Sequence, residues 1–169
     1  METITTPELV LEPLGVSHAE AMFELLSDPA IYPYLDYPPP PSVDHLRGVY
    51  AQLEARRSPE GDEAWLNWVI RPHGRALVGY VQATVASNRQ AYVAYILASK
   101  HWGHGYAQKA MQPMLEHLTS VYGVERCLAT VEAENQRSIR LLERLGFRLV
   151  GVQEFPDHHL SPTERLYAR

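Results

Sequence analysis

The sequence predicts a single α/β domain with a mixed, mostly antiparallel central sheet. Three strand-forming runs, at positions 65–70, 76–86 and 91–98, are separated only by short turns and therefore form an antiparallel meander. A helix over about 105–122 and a strand over 126–132 follow them. A strand–helix–strand unit of this length is a right-handed crossover, so its two strands are parallel.

The residues before the meander predict one strand and two helices. The strand covers 8–12, and a Ser-His-Ala-Glu capping box at 17–20 predicts that the first helix begins there. Ser42 is placed to cap the second helix. Residues 33–41 hold five prolines, which fix the backbone without donating to a strand ladder, so we expect an ordered loop. Helices on both sides of the meander in the chain predict that both faces of the sheet are covered.

The residues after the crossover predict a short helix and two more strands. Asn135 is placed to cap this helix and Gly146 to end it. A strand over 147–153 and, after the loop 154–162, an edge strand over 163–167 complete the predicted sheet.

Composition limits the classes of function. With 46% hydrophobic and 21% charged residues, the chain has the composition of a globular protein, and we expect one domain over 1–169. The net charge of −5 argues against nucleic acid or a membrane surface as a general partner. A lone cysteine, Cys127, and the lack of a signal sequence or a span-length apolar run predict a cytoplasmic protein. The sequence leaves both a monomer and a homodimer open.

A loop with two glycines joins the last meander strand to the crossover helix. Gly103 and Gly105 stand just before this helix. The first backbone N–H groups of a helix lack intrahelical partners, and glycines let a ligand approach the backbone closely, so the pattern predicts an anion cradle. The alternative is a plain strand-to-helix turn, since the loop matches neither a Walker loop nor the dinucleotide-binding fingerprint.

Two short motifs resemble those of the GCN5-related N-acetyltransferases (GNAT). Residues 102–107, Trp-Gly-His-Gly-Tyr-Ala, are similar to the acyl-CoA pyrophosphate loop of that family, with tryptophan in the place of the usual Gln or Arg. Asn135 and Ser138 match an Asn-x-x-Ser motif, and Leu-Gly-Phe follows at 145–147. The combination resembles the branch that acetylates the N-termini of ribosomal proteins, and the likeness covers nearly the whole chain.

The resemblance implies an acetyl-CoA-dependent N-acetyltransferase with a GNAT-like sheet. Acetyl-CoA, the co-substrate, would give its acetyl group to a primary amine by direct attack in a ternary complex. The amides of the glycine loop would hold the pyrophosphate, the preceding strand would hold the thioester, and Asn135 would bind the cofactor, cap its helix, or do both. The cofactor-binding residues so implied are Tyr95, Ile96, Leu97, His104, Gly105, Tyr106, Ala107, Gln108 and Asn135.

Ser138 is the catalytic residue that the resemblance implies. Many family members protonate the leaving thiolate with a tyrosine, but Leu142 stands at that position here, and in the ribosomal branch the serine has the role. Ser138 either gives a hydrogen bond to the sulfur or only helps to begin its helix. The sequence identifies no general base, because residues 78–97 contain no acid. We expect no metal site, since the exposed pair His158 and His159 lacks further ligands.

The acceptor is expected beside the loop that joins the first two helices. The resemblance implies that Tyr34 and Tyr37 bind the substrate, and tyrosines offer rigid contact area with a polar tip. The alternative is that this loop is only a linker. The acceptor is either a protein N-terminus or a small-molecule amine. Two other functions stay open: an acyl-CoA-binding protein without turnover, such as a sensor, and a module that binds nucleotide phosphates.

Overall fold

The computed structural model describes residues 1–155 and 158–169, which form one sheet of eight strands and four α-helices. The strands are β1 (Ile4–Thr5), β2 (Leu9–Pro13), β3 (Ala64–Pro72), β4 (Gly79–Val85), β5 (Gln90–Leu97), β6 (Arg126–Glu132), β7 (Arg148–Val150) and β8 (Glu164–Ala168). The helices are α1 (Ala19–Leu26), α2 (Val43–Leu53), α3 (Tyr106–Tyr122) and α4 (Gln136–Arg144).

The strand order confirms the predicted mixed sheet. The order is β1-β2-β3-β4-β5-β6-β8-β7, and all neighbours are antiparallel except β5 and β6. The β5–α3–β6 crossover is parallel, as predicted. The prediction of an edge strand over 163–167 is wrong, because β8 lies between β6 and β7. Chain order alone does not show which of two short strands pairs with β6.

Two apolar clusters cover the two faces of the sheet, as predicted. On one face, α3 and α4 bury side chains such as Met111, Met114 and Leu142 against β3 to β6. On the other face, α1 and α2 bury Met22 and Leu46 against β3. Each such side chain contributes about 1.5–3 kcal/mol of transfer free energy when buried. Apolar packing therefore stabilises the sheet on both faces, and a site can form at the ends or edges of its strands.

Two of the three predicted helix caps are present. Ser42 caps α2, its Oγ accepting a backbone N–H at 3.1 Å, and the Asn135 cap of α4 is described with the site. The capping box predicted at 17–20 is wrong. A 3-10 turn covers Val16–His18, and the N–H of Gly15 donates to Nδ1 of His18 at 3.1 Å. The His18 ring at N3 therefore accepts the N–H of the N-cap residue, the role that the sequence pattern assigned to Glu20, and the N-cap is Gly15 instead of Ser17.

β4 begins at Gly79, later than the predicted start at 76. Gly79 pairs with Leu97 of β5, and a Cβ added at Gly79 would lie 2.0 Å from the carbonyl oxygen of Ile96. Only glycine fits this approach without moving the backbone of β5.

The end of the chain also differs from its prediction. The strand expected over 147–153 is limited to β7, because a 3-10 turn occupies Val152–Glu154. The loop predicted over 154–162 includes residues 156 and 157, which lie outside the described residues. Within the described part of the chain, no helix is both long enough and apolar enough to cross a membrane.

Candidate active site

A cleft opens where β5 and β6 separate. The two strands pair only from Gln90 with Arg126 to Tyr92 with Leu128, although β5 continues to Leu97. The unpaired parts of both strands line a cleft of about 1000 Å³. A cleft of this volume can hold a ligand of considerable size.

The backbone groups of β5 point alternately toward β4 and toward the cleft. The N–H of Ala86 donates to the Gln90 carbonyl at 2.9 Å, and the N–H of Ala98 donates to the Val78 carbonyl at 3.2 Å. Because hydrogen-bonded pairs recur at every second residue of an antiparallel ladder, the even-numbered residues of β5 bond to β4. The odd-numbered residues 93–97 therefore direct their N–H and C=O groups toward the gap.

This alternation separates the three strand residues that the resemblance implied. Tyr95 and Leu97 direct backbone groups into the cleft, and the Leu97 carbonyl accepts the indole N–H of Trp102 at 3.0 Å. The backbone of Ile96 is turned toward β4, where Ile96 pairs with Tyr80. Ile96 therefore reaches the cleft through its side chain.

The cleft opens onto both faces of the sheet. The Tyr95 side chain packs against the cluster of α3 and α4. Side chains alternate along a strand, so that of Ile96 points to the opposite face, where its partner Tyr80 packs against the cluster of α1 and α2. Two ligands bound on opposite faces could thus meet in the gap between β5 and β6.

The glycine loop brings the N-terminus of α3 to one end of the cleft. Gly103 and Gly105 have φ values of 79° and 76°, a left-handed conformation that favours glycine. Among the described residues, the nearest atom to a Cβ added at Gly105 is Cε of Lys109 at 3.7 Å, so the space above this turn is open. A 17-residue helix starts here with its first N–H groups facing outward. The geometry suits a phosphate.

Most of the predicted loop residues line the cleft. They are Gly105, Tyr106, Ala107 and Gln108. His104 is not among the lining residues: it is exposed, its Nδ1 lies 2.9 Å from the Trp102 carbonyl, and its ring stacks on Tyr106 at 5.9 Å. The side chain of His104 thus covers the outside of the loop.

The N-terminus of α4 faces the same cleft and carries Ser138. Oδ1 of Asn135 accepts the backbone N–H of Ser138 at 3.2 Å, which confirms the predicted cap. The phenol of Tyr95 donates a hydrogen bond to Oγ of Ser138 at 3.2 Å. Burial raises the pKa of the Tyr95 phenol, while the hydrogen bond to Ser138 and the charges of Arg137 and Arg144 act in the opposite direction. Neither sequence motif includes this phenol, although strand alternation could have placed it on the α4 face.

Cationic side chains of α4 lie beside the glycine loop. The guanidinium of Arg137 stacks over the indole of Trp102, and Arg140 and Arg144 also line the cleft. Their spacing places all three on one side of the helix. An acidic protein thus collects positive charge locally, where an anionic ligand would need it.

Tyrosines form the wall of the cleft on the α1–α2 face. Tyr34 and Tyr37 line the cleft and are 44% and 47% exposed, so their rings are accessible to a ligand. The Tyr37 ring meets that of Tyr32 edge-to-face at 6.3 Å. Tyr80 lies beneath them, and burial holds the pKa of its phenol well above its usual value.

The other residues considered in the sequence lie in the apolar core or near the end of the chain. Leu142 is buried in the α3–α4 cluster, and Cys127 is buried in β6, where burial raises its thiol pKa to about 11. Of the two histidines expected to be exposed, His159 is exposed and His158 is half-buried. The His158 ring stacks on Tyr92 at 5.2 Å, and its Nε2 lies 2.9 Å from Oγ1 of Thr130. Across residues 1–155 and 158–169, no three histidine, cysteine or acidic side chains are grouped to hold a metal ion.

Comparisons with known proteins agree with this geometry. An uncharacterized N-acetyltransferase of Bacillus licheniformis, p20, is 28% identical over 154 residues, which cover 90% of this chain and 85% of that protein. RimL, a ribosomal L7/L12 alpha-N-protein acetyltransferase solved in complex with coenzyme A, superposes with a TM-score of 0.81 at 21% identity, covering 99% of this chain and 97% of RimL. The microcin C7 self-immunity acetyltransferase MccE, solved with acetyl-CoA and AMP, superposes with a TM-score of 0.80 at 18% identity, covering 97% of this chain and 93% of the MccE chain.

Most of the chain matches one protein family, and this match identifies the family of the protein. Residues 8–148 match the acetyltransferase (GNAT) domain, which includes the separated strands, the glycine loop and all of α4. The chain therefore belongs to the acetyltransferase (GNAT) family, whose members transfer an acetyl group from acetyl-CoA to an amine.

Proposed function

We propose that the chain acetylates a primary amine with acetyl-CoA as co-substrate, by direct attack of the amine in a ternary complex. The observation that carries this proposal is the cleft between β5 and β6, which joins the two faces of the sheet. A donor on the α3–α4 face and an acceptor on the α1–α2 face would meet there without a covalent enzyme intermediate. Residues 1–169 would act as one acetyltransferase domain.

The donor would be held by the loop and by both helices on its face. The amides of residues 104–108, at the N-terminus of α3, would bind the pyrophosphate. Asn135 uses its Oδ1 in the helix cap, which leaves its amide nitrogen for the donor. The backbone groups of Tyr95 and Leu97 face the gap and would bind the thioester, stabilising charge on its oxygen during attack. Ile96 would contribute apolar contact.

Ser138 would assist departure of the CoA thiolate. Its backbone N–H is fixed by Asn135 and its Oγ by Tyr95, so the hydroxyl is oriented at the cleft. A hydrogen bond that forms mainly as charge develops on sulfur would raise kcat more than affinity. Ser138→Ala should lower turnover about tenfold to a hundredfold and leave acetyl-CoA affinity nearly unchanged.

The acceptor would bind against Tyr34 and Tyr37. Both rings are exposed beside the cleft, on the face opposite the glycine loop. They suit the amine of a protein N-terminus or of a small molecule, since both present a polar end next to an apolar stem.

An acceptor screen tests the proposal. Release of the free CoA thiol would be measured with peptides that have free N-termini, with small-molecule amines, and without acceptor. We expect acceptor-dependent release that Tyr37→Ala weakens through KM. Binding of acetyl-CoA with no release for any acceptor would instead support an acyl-CoA-binding protein. Binding of ATP in preference to acetyl-CoA would support a nucleotide-phosphate module.

A further inference from the structure

We propose that Tyr95 is a positioning residue for Ser138, orienting the serine hydroxyl toward the leaving thiolate and resupplying the proton that the serine gives up. This inference rests on the proposed function and assigns a role to a side chain on β5. The observation behind it is the hydrogen bond from the Tyr95 phenol to Oγ of Ser138 at 3.2 Å.

The direction of this hydrogen bond determines what the serine can do. A hydroxyl has one proton to donate and two lone pairs to accept with. If Oγ accepts from Tyr95, the proton of Ser138 stays free for a group in the cleft. Because the backbone N–H of Ser138 is engaged by Asn135, both the residue and its hydroxyl have restricted orientations.

The surroundings of Tyr95 suit a phenol that gives up its proton only briefly. The ring is half-buried and packs against the α3–α4 cluster, which keeps the phenol protonated in the resting enzyme. The charges of Arg137 and Arg144 favour the phenolate when it forms. Leu142, where many relatives carry a tyrosine, is buried and cannot supply a proton. A phenol thus approaches the same region from β5 instead of α4.

The proton transfer can be written so that atoms and charges balance. The amine forms its bond to the thioester carbon, and the carbon–sulfur bond breaks with its electron pair going to sulfur. The thiolate takes the hydroxyl proton of Ser138, and Oγ takes the phenolic proton of Tyr95. The acceptor nitrogen loses one proton to solvent, and solvent returns one proton to the Tyr95 phenolate. The products are the amide and CoA thiol, and both side chains regain their starting states.

The test is single-turnover acetyl transfer at saturating acceptor, with acetyl-CoA bound beforehand so that product release does not limit the rate. Tyr95→Phe keeps the ring and removes the hydroxyl; we expect about a tenfold slower transfer with unchanged acetyl-CoA affinity. The double variant Tyr95→Phe/Ser138→Ala should be no slower than Ser138→Ala alone, because the phenol acts only through the serine. A proton inventory in mixed H₂O and D₂O should be curved for the parent and linear for Tyr95→Phe.

The control is Tyr167→Phe, which removes the hydroxyl of another tyrosine of the same apolar cluster, outside the cleft, and should transfer at the parent rate. Thermal melting of each variant checks its fold. If the Tm of Tyr95→Phe is lower than that of the parent, Tyr95→His provides a second test: it restores a polar proton donor and should transfer faster than Tyr95→Phe. A parental rate in folded Tyr95→Phe, or additive losses in the double variant, would overturn the inference and leave the proposed function standing. Absence of acceptor-dependent transfer by the parent would overturn both.

Discussion

The guanidinium carbon of Arg137 lies 3.8 Å from the centroid of the Trp102 ring. Trp102 belongs to the glycine loop and Arg137 to the first turn of α4, so the stack joins the two segments proposed to hold the donor. The indole N–H is also bonded to the Leu97 carbonyl at the end of β5. Trp102 thus connects β5, the glycine loop and α4. It stands at the position where the resemblance to the family leads us to expect Gln or Arg.

The stack should make Trp102 and Arg137 act as one unit in donor binding. A cation–π contact at an exposed site contributes about 0.5–1 kcal/mol, so Arg137→Gln should weaken acetyl-CoA binding at least about twofold to fivefold. Trp102→Leu should weaken it further, because the bond to Leu97 is also lost. Isothermal titration of the double variant should show less than the sum of the two losses. Arg140→Gln, on the same helix but outside the stack, should be additive with Trp102→Leu; additivity in both pairs would dismiss the coupling.

The close approach of Gly79 to Ile96 predicts a large loss of stability from a small change. Gly79→Ala would place a methyl group 2.0 Å from a backbone oxygen, so β4 and β5 must separate at the end that faces the cleft. We expect the free energy of unfolding to fall by about 2–4 kcal/mol. Gly48→Ala is the matched control. Gly48 lies inside α2, and no atom of the residues that the structure describes lies within 4 Å of its added Cβ. This change should stabilise the protein by about 0.5–1 kcal/mol. Equal effects in denaturant titrations would refute the steric argument.

Long periodic elements and local caps could be predicted from the sequence. The meander, the crossover helix and the caps at Ser42 and Asn135 depend on side-chain periodicity and on contacts within a few residues. The position of β8 inside the sheet could not, because it depends on which segments meet after folding. The cap at His18 spans only three residues, but it uses a histidine where the capping-box pattern has Glu or Gln. The short strand β1 was missed for another reason: two residues carry no periodic signal.

The segments proposed to hold the donor were predicted by motif, but their side-chain contacts were not. The motifs point to the glycine loop, Asn135 and Ser138 because the roles proposed for them are local or involve the backbone. The Tyr95–Ser138 hydrogen bond joins residues 43 positions apart in the chain, and the Trp102–Arg137 stack likewise joins separate elements. Neither leaves a pattern in a single sequence. Both depend on how far α4 approaches the end of β5.

Asn135 should have two separable roles. Asn135→Ala loses the cap of α4, which should cost about 1 kcal/mol of stability, and also loses the amide proposed to contact the donor. Asn135→Asp keeps a capping oxygen but replaces the amide by a negative charge. We therefore expect Asn135→Asp to melt like the parent and still bind acetyl-CoA more weakly. Parental affinity in Asn135→Asp would restrict Asn135 to capping.

Donor binding should require the open space above Gly105 in addition to the positive φ of this residue. Gly105→Val introduces a β-branched side chain at a positive φ and fills the space above the helix N-terminus, so acetyl-CoA affinity should fall by more than about tenfold. Gly123→Val is the matched control, since Gly123 has a φ of 65° and open space at the other end of α3. Both variants place valine at a positive φ and should lose stability for that reason. Only Gly105→Val should lower the acetyl-CoA affinity measured by titration. Equal affinities in the two folded variants would place the pyrophosphate elsewhere.

The carboxylate of Asp28 ties the turn after α1 to the turn after β5. Its Oδ2 accepts the backbone N–H of Ser99 at 2.7 Å, and its Oδ1 accepts that of Ala30 at 3.0 Å. Hydrogen bonds from the side chain and backbone of Ser99 lower the pKa of Asp28. The chain that leads into the proposed acceptor wall is thereby fixed next to the strand proposed to hold the thioester.

This carboxylate should make stability depend on pH at the acidic end. Since the folded pKa lies below the unfolded value of about 3.9, the stabilisation is fully present above that value and is lost as the pH falls through the folded pKa. Asp28 is partly exposed, so solvent screening keeps the effect small, and Asp28→Asn should lower Tm by about 2–4 °C near neutral pH. The gap between parent and variant should narrow in melts at about pH 3. Asp44→Asn removes an exposed acid paired with Arg47 and should change Tm less at either pH. A gap of constant size for Asp28→Asn would show that its hydrogen bonds do not depend on the charge.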